Sequence, residues 1–209
     1  FGHSHPRLVD ALVTQAQRLA LTSRAFSSDR LPVFLERLCA TFGYERALPV
    51  NTGLEAVETA LKAARKWAYK VKGIAPERAR IIACDGNFHG RSIAIVGLSA
   101  NEHYRDGFGP FPPGLYHVPF PCLHSDLAVT RQAVEHLFKA DIEPSRVAAI
   151  ILEPVQGEGG FNVAPKELWQ RLRALCDQHG ILLIADEVQT GAGRTGRSEE
   201  HTSELQSQR

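Results

Sequence analysis

The sequence has little of what nucleic-acid-binding and membrane proteins need. Its 24 Lys and Arg residues are balanced by 23 Asp and Glu residues, which leaves a formal net charge of +1 and no basic excess for a phosphate backbone. The most apolar runs, 148–152 and 181–185, are much shorter than the roughly 20 residues of a membrane helix. We therefore expect neither a nucleic-acid partner nor a membrane span.

Metal and disulfide frameworks are missing from the sequence too. The four cysteines stand far apart without a C-x-x-C pair, so neither a zinc knuckle nor a small disulfide scaffold is indicated. A reducing, cytoplasmic compartment is the resulting expectation. His3 and His5 have no evident third partner, and we predict no metal site.

Three common catalytic signatures are also absent. There is no G-x-x-x-x-G-K-[ST] loop, and no G-x-G-x-x-G follows a strand, which argues against nucleotide hydrolysis and against a dinucleotide-binding oxidoreductase. Ser4, Ser27 and Ser28 lack a G-x-S-x-G setting, so a serine nucleophile is not supported.

Both ends of the chain look unlike those of a natural protein. The sequence begins at Phe1, contains no methionine and shows no signal peptide, so we expect the natural start to lie upstream. From Arg197 onward it reads RSEEHTSELQSQR, with Leu205 the only large apolar residue. Residues 197–209 resemble a translated sequencing adapter more than a solvated tail, and we predict that they add nothing to the core.

Residues 1–196 alternate short β-branched runs with longer periodic segments, the pattern of an α/β fold with a mainly parallel sheet. The predicted helices run from Pro6 to about Ala20, from Leu31 to Phe42, after Gly53, and over 165–179; the predicted strands are 47–50, 80–84, 147–152 and 181–185. We expect an N-terminal helical segment over 1–45 and part of a larger domain over 46–196.

An unusual segment follows each predicted strand. These segments are N-T-G at 51–53, D-G-N-F-H-G at 85–90, Q-G-E-G-G at 156–160 and D-E at 186–187. Ligands of open α/β sheets gather at the carboxyl ends of the strands. We therefore expect the four segments to converge on one site.

The chemistry of these segments leaves alternatives open. N-T-G at a helix start suits an anion, because free N–H groups and the helix dipole face it, but it also forms an ordinary N-cap. Asp186 follows an apolar strand and needs a partner, either a cationic ring nitrogen or the next turn. Phe88, between two glycines, suits stacking on a flat ligand or core packing. Glu153 and Glu158 are expected to be solvated loop acids.

Five motifs occur in an order typical of one enzyme family: F-G-H-S-H-P, N-T-G-L-E-A-V-E-T-A-L-K-A-A-R, G-N-F-H-G-R, L-E-P-V-Q-G-E-G-G and A-D-E-V-Q-T-G-A-G-R-T-G. Over residues 1–196 they closely resemble the class III aminotransferases. The resemblance implies part of a fold-type-I enzyme that depends on pyridoxal 5'-phosphate (PLP), normally a homodimer with active sites at the subunit interface. Segments 22–26 and 67–74 look like ornithine-specific members, and 121–161 looks like members acting on 4-aminobutyrate.

The same resemblance implies roles for residues that would hold the cofactor. The phosphate is expected on the backbone around Thr52, Gly53 and Leu54. Phe88 and Val188 are expected on the two faces of the pyridine ring. Asp186 is expected to accept a hydrogen bond from the protonated ring nitrogen, and Gln189 to hydrogen-bond the phenolic oxygen.

Substrate contacts are implied for Arg91, Glu158 and Ser27. Arg91 suits a carboxylate because a guanidinium fork matches two oxygens, and Glu158 matches a glutamate that pairs with a distant arginine in one half-reaction. That arginine and the lysine that bonds the cofactor match none of the residues present, since the six lysines of this chain fit solvated helix faces.

The expected activity is transfer of the terminal amino group of ornithine to 2-oxoglutarate, so that the partners are small amino acids and 2-oxo acids. Alternative donors are 4-aminobutyrate and acetylornithine. A non-catalytic, cofactor-binding fragment is the alternative from another class.

Overall fold

The computed structural model describes residues 2–23, 25–121 and 128–195. The chain divides into two compact units, Phe1–Ala47 and Leu48–Arg209. The predicted non-native tail, 197–209, lies outside the described residues. Among the residues described, no helix is long and apolar enough to span a membrane.

The first unit contains helices α1 (Pro6–Arg18) and α2 (Leu31–Phe42). Each has a proline in its first turn, where the missing N–H costs no helical hydrogen bond. Helix α1 ends before the predicted Ala20, because Leu19 is already extended with φ −167°. Helix α2 has its predicted bounds and ends at Gly43, whose φ of 69° favours glycine. Neither helix contains a buried residue.

The second unit begins with helix α3 (Gly53–Trp67), which a π-helical turn (Ala68–Lys72) extends to Gly73. Val57, Leu61 and Ala64 form its buried face. The strand predicted at 47–50 is wrong: this segment has no regular structure. A strand needs a neighbour for its ladder of hydrogen bonds, and no described segment pairs with 47–50.

A four-stranded sheet forms the centre of this unit, and its strands are parallel, as the sequence predicts. Its strands are β1 (Arg80–Cys84), β2 (Leu115–Val118), β3 (Val147–Leu152) and β6 (Leu182–Ala185), in the spatial order β2-β1-β3-β6. Between β3 and β6 in sequence lies a small antiparallel ribbon of β4 (Val155–Gln156) and β5 (Asn162–Val163). The carboxyl ends of all four parallel strands therefore lie at one edge of the sheet.

Helices cover both faces of the sheet. They are α3, α4 (Ile93–Val96), α6 (Ala128–Ala140) and α7 (Lys166–His179). A short helix α5 (Glu102–Arg105), which contains no buried residue, follows α4, and a 3₁₀ turn at Pro144–Arg146 precedes β3. Residues of β3 alternate between the two faces: Ile150 and Leu152 pack in the layer with α6 and α7, and Ala149 and Ile151 in the layer with α3 and α4. Every residue of β3 is buried, which explains its uninterrupted apolar sequence.

Candidate functional site

The segments that follow β1, β3 and β6 meet at the carboxyl edge of the sheet. His89, after β1, hydrogen-bonds Asp186, after β6. The backbone N–H of Phe88 donates to Glu153 Oε2, after β3, at 3.0 Å. Helix α3 joins the same group through Gly53, which packs against Val188. The structure thus brings together the segments that the sequence analysis expects to share a site.

The N-terminus of α3 is closed by reciprocal hydrogen bonds. Thr52 Oγ1 accepts from Glu55 N at 3.1 Å, and Glu55 Oε2 accepts from Asn51 N at 2.7 Å. This pattern satisfies two amides and leaves those of Gly53 and Leu54 without an acceptor among the described residues. The free amides and the positive end of the helix dipole make this turn suitable for an anion.

Gly53 is required by its contact with the loop after β6. A Cβ at this position would lie 2.6 Å from Cγ1 of Val188. The absence of a side chain therefore lets the helix terminus approach the loop that carries Asp186, Val188 and Gln189. Val188 is 60% exposed, so most of its surface faces away from the protein interior.

Asp186 is a buried carboxylate with fixed orientation. It is 7% exposed, its Oδ2 lies 2.7 Å from His89 Nδ1, and its Oδ1 accepts from Val188 N at 3.1 Å. An ionised carboxylate can only accept hydrogen bonds, so the donor to an ionised Asp186 would be an N–H at Nδ1 of His89. Each oxygen retains capacity for a further donor, so Asp186 can still bind a protonated nitrogen.

His89 is a site residue that the sequence analysis misses. Its side chain is fully buried, and its Nε2 has no hydrogen-bond partner among the described residues. The general rule that a buried carboxylate needs a partner predicts such a residue but not its position. The sequence feature that could have identified His89 is its position directly after Phe88, in the loop that follows β1.

The prediction that Glu153 is a solvated loop acid is wrong, because the residue is only 4% exposed. Burial raises the pKa of its carboxyl group, against the opposing effects of the Phe88 N–H and of His89. Its hydrogen bond to Phe88 N fixes the backbone that carries the Phe88 ring. Glu158, in contrast, is exposed as expected.

Arg91 lies against two aromatic rings. Its guanidinium carbon is 5.3 Å from the centre of the Phe88 ring and 5.0 Å from that of Tyr104, and the two rings make an edge-to-face contact at 6.0 Å. These contacts fix the direction of the cation while leaving its N–H groups available. Arg91 and Tyr104 also line a cavity of about 420 Å³ together with Ile93, Val96, His103 and Phe108.

The glycine-rich loop after β3 is tied to the loop after β1. Gln156 is buried and its Nε2 donates to Asp85 O at 2.7 Å. A Cβ at Gly159 would collide with the carbonyl oxygen of Gly86, so the two backbones approach too closely for any other residue. Gln189 is exposed and lies beside Gly157.

Ser27 belongs to the first unit, where its side chain is exposed. All other residues with an expected role belong to the second unit. Within the described part of the chain, no cluster of three or more potential metal ligands is present.

Comparison with known proteins identifies the family. The model of the aminotransferase class-III family matches residues 1–202. The chain belongs to the class III aminotransferases. It is 49% identical over 196 residues to the ornithine aminotransferase of Staphylococcus epidermidis, covering 94% of this chain and 46% of that protein.

Solved structures of class III aminotransferases share the fold. The ornithine aminotransferase of Toxoplasma gondii is 44% identical with a TM-score of 0.84, over 96% of this chain and 45% of that chain. The acetylornithine aminotransferase of Elizabethkingia anophelis is also 44% identical, with a TM-score of 0.75, over 96% and 46%. The predicted fold class, part of a fold-type-I domain with a mainly parallel sheet, is confirmed. The chain spans about half the length of these class III relatives.

Proposed function

We propose that the intact protein containing this chain is a PLP-dependent aminotransferase that transfers the terminal amino group of ornithine to 2-oxoglutarate. One observation carries the proposal: the buried Asp186 carboxylate at the end of β6, which His89 orients and which keeps capacity for a protonated nitrogen. Family membership and the relatives named ornithine aminotransferase support the reaction class and the donor.

The residues present fit PLP at three separate groups of atoms. The amides of Gly53 and Leu54, with the hydroxyl of Thr52, would hold its phosphate. The half-buried Phe88 ring and the exposed Val188 side chain would lie on the faces of its pyridine ring. Asp186 would bind the ring nitrogen, with Gln189 near the phenolic oxygen; PLP, when bound, withdraws electrons from the substrate carbon that loses a proton.

The chain's own residues keep this arrangement rigid. His89 Nδ1 lies 2.7 Å from Asp186 Oδ2, and this hydrogen bond keeps the carboxylate oxygen in place. Glu153 accepts a hydrogen bond from the Phe88 amide, which fixes the backbone position of the aromatic residue. Gly53 brings the helix terminus against Val188, so the phosphate-binding amides keep a constant position relative to Asp186.

Arg91 is proposed to bind a substrate carboxylate, since its guanidinium is oriented by Phe88 and Tyr104 at the mouth of a cavity. Glu158 and Ser27 remain proposed substrate contacts. None of the six lysines of this chain is proposed as the lysine that bonds the cofactor; they lie in α3, the π-helical turn, α6 and α7.

A homodimer is part of this proposal. Large apolar side chains, including Leu8, Leu12 and Phe34, are exposed on α1 and α2. Exposed apolar faces of this kind are suited to a subunit interface. Sedimentation of the intact protein tests this, because a monomer at micromolar concentration would contradict it.

The donor is tested by comparing ornithine, 4-aminobutyrate and N-acetylornithine, each with 2-oxoglutarate and the intact, PLP-loaded protein. Acetylornithine is a second candidate because a structural relative of equal identity carries that name. We expect kcat/KM with ornithine to be at least about tenfold higher than with either other donor. A donor that leaves one polar group of the site without its hydrogen-bond partner loses on the order of 1.4 kcal/mol or more of transition-state stabilisation. A higher kcat/KM with another donor would refute the ornithine assignment but not the reaction class.

A further inference from the structure

A second cleft lies at the opposite, amino-terminal edge of the sheet. It has a volume of about 370 Å³ and is lined by side chains of Lys72, Ile74, Ala75, Arg78, Ser145 and Arg146. These residues belong to the end of the π-helical turn, the loop before β1 and the 3₁₀ turn before β3. β1 and β3 are neighbours in the sheet, and a strand of this length separates the cleft from the Asp186 edge by roughly 20 Å.

The charge of this cleft is unbalanced. Lys72, Arg78 and Arg146 line it, and none of its lining residues is acidic. Among the described residues, no carboxylate forms an ion pair with any of these three cations. Glu143, which directly precedes the 3₁₀ turn, accepts a long hydrogen bond of 3.5 Å from Ser145 instead. Three cations thus gather in one cleft of a chain whose net charge is only +1.

The two arginines of the cleft keep N–H groups available for an anion. The Nε of Arg146 is buried and has no hydrogen-bond partner in the described part of the protein. This Nε is closed off from solvent, so an anion in the cleft would meet the terminal N–H groups of Arg146, which make no ion pair among the described residues. Arg78 is exposed and its side chain has no ion-pair partner among the described residues.

Lys72 has a different function in the same cleft. Its ammonium group donates to the carbonyl oxygens of Val147 at 2.7 Å and Pro144 at 3.2 Å, which holds the 3₁₀ turn against the end of the π-helical turn. Burial lowers its pKa, as expected for a cation without a nearby anion. Neutral carbonyls leave the positive charge uncompensated, so Lys72 adds to the attraction for an anion.

We propose that this cleft binds a small phosphate group, either free phosphate or the phosphate of a metabolite. Two guanidinium groups can each offer two parallel N–H donors to a tetrahedral oxyanion, and the ammonium adds a point charge. The site is separate from the proposed cofactor site, since it lies at the other edge of the sheet and shares no residue with it.

The test uses the intact, PLP-loaded protein, so that the proposed cofactor phosphate site is already filled. Calorimetric titrations with inorganic phosphate, ribose 5-phosphate and succinate are run at one ionic strength, kept constant with sodium chloride. The variants are Arg78→Glu, the double variant Arg78→Ala with Arg146→Ala, and Arg171→Ala as a control. Arg171 is an exposed arginine on α7 that does not line the cleft.

We expect the phosphate dissociation constant to rise at least about tenfold in Arg78→Glu and in the double variant, and to stay unchanged in Arg171→Ala. Arg78 is exposed, so Arg78→Glu keeps the test valid even where the double variant fails to fold. Tighter binding of ribose 5-phosphate than of phosphate identifies a phosphate ester, and equal binding identifies the free ion. Unchanged phosphate affinity in Arg78→Glu, absence of phosphate binding, or a succinate affinity that falls as much as the phosphate affinity in Arg78→Glu overturns the proposal.

Discussion

Replacing His89 by leucine perturbs the link between the loop after β1 and the end of β6. The imidazole is fully buried and lies 2.7 Å from Asp186, so the variant leaves a buried carboxylate with only the Val188 amide at 3.1 Å. Removing one partner of a buried pair costs about 3–5 kcal/mol. Because Asp186 keeps one hydrogen bond, we expect the lower end, a decrease of about 3 kcal/mol in the free energy of unfolding.

A double-mutant cycle separates the energy of the hydrogen bond between His89 and Asp186 from general effects on packing. His89→Leu, Asp186→Leu and the combined variant are unfolded in urea as the intact, cofactor-free protein. We expect a coupling energy of about 2 kcal/mol, the usual contribution of a hydrogen bond to a charged group. His89→Asn serves as the matched control, since its side-chain amide keeps an N–H donor near the Nδ1 position and should recover part of the lost stability. A coupling energy below about 0.5 kcal/mol would refute the assigned pairing.

Three further variants test other contacts of the site. Gly53→Ala should destabilise the protein by about 1–2 kcal/mol, because its Cβ would lie 2.6 Å from Val188. The double variant with Val188→Ala should recover most of that loss in the same urea assay. No recovery would contradict this packing. Burial raises the pKa of Glu153 above its ordinary 4.5, so its contribution to stability is full below pH 4.5 and is lost as pH rises through the raised pKa. Glu153→Gln cannot ionise and should therefore lose less unfolding free energy than the wild type as the pH rises above 4.5. Parallel pH profiles would show that Glu153 does not titrate as described. Tyr104→Leu removes one ring beside Arg91 and should raise KM for the amino donor about two- to fivefold at constant kcat, with Tyr104→Phe near the wild type; an equal effect of both would implicate the hydroxyl group instead.

Much of the fold follows from local patterns in the sequence. β1 and β3 have their predicted bounds because uninterrupted runs of buried aliphatic residues end at polar residues. Helices α2 and α7 end at Gly43 and Gly180, where left-handed backbone favours glycine. Strand β2 and helix α6 have no counterpart among the predicted elements. β2 is only four residues long and is stabilised by pairing with β1, which a local pattern does not encode.

The site is predicted in outline but not in its pairings. Because the carboxyl ends of parallel strands meet at one edge of a sheet, the sequence predicts that Phe88, Glu153 and Asp186 lie near one another. It does not predict which of them are in contact. The identity of the partner of Asp186 depends on how β1 and β6 are placed across the sheet, with β3 between them. From the sequence, Glu153 is assigned to solvent because a Pro and a Gly stand between it and Glu158, a composition typical of a loop. Its position at the end of a fully buried strand keeps it inside.

We propose that Asp186 binds the ring nitrogen of PLP and thereby supports transamination. The most direct measurement compares Asp186→Ala with the control Asp141→Ala, an exposed acid, in the intact protein. PLP content is read from absorbance and from phosphate analysis, and single-turnover rates are measured with ornithine. We predict that Asp186→Ala retains PLP but loses at least about 100-fold in rate, while Asp141→Ala stays near the wild type. A near-normal single-turnover rate in Asp186→Ala would contradict the assigned role.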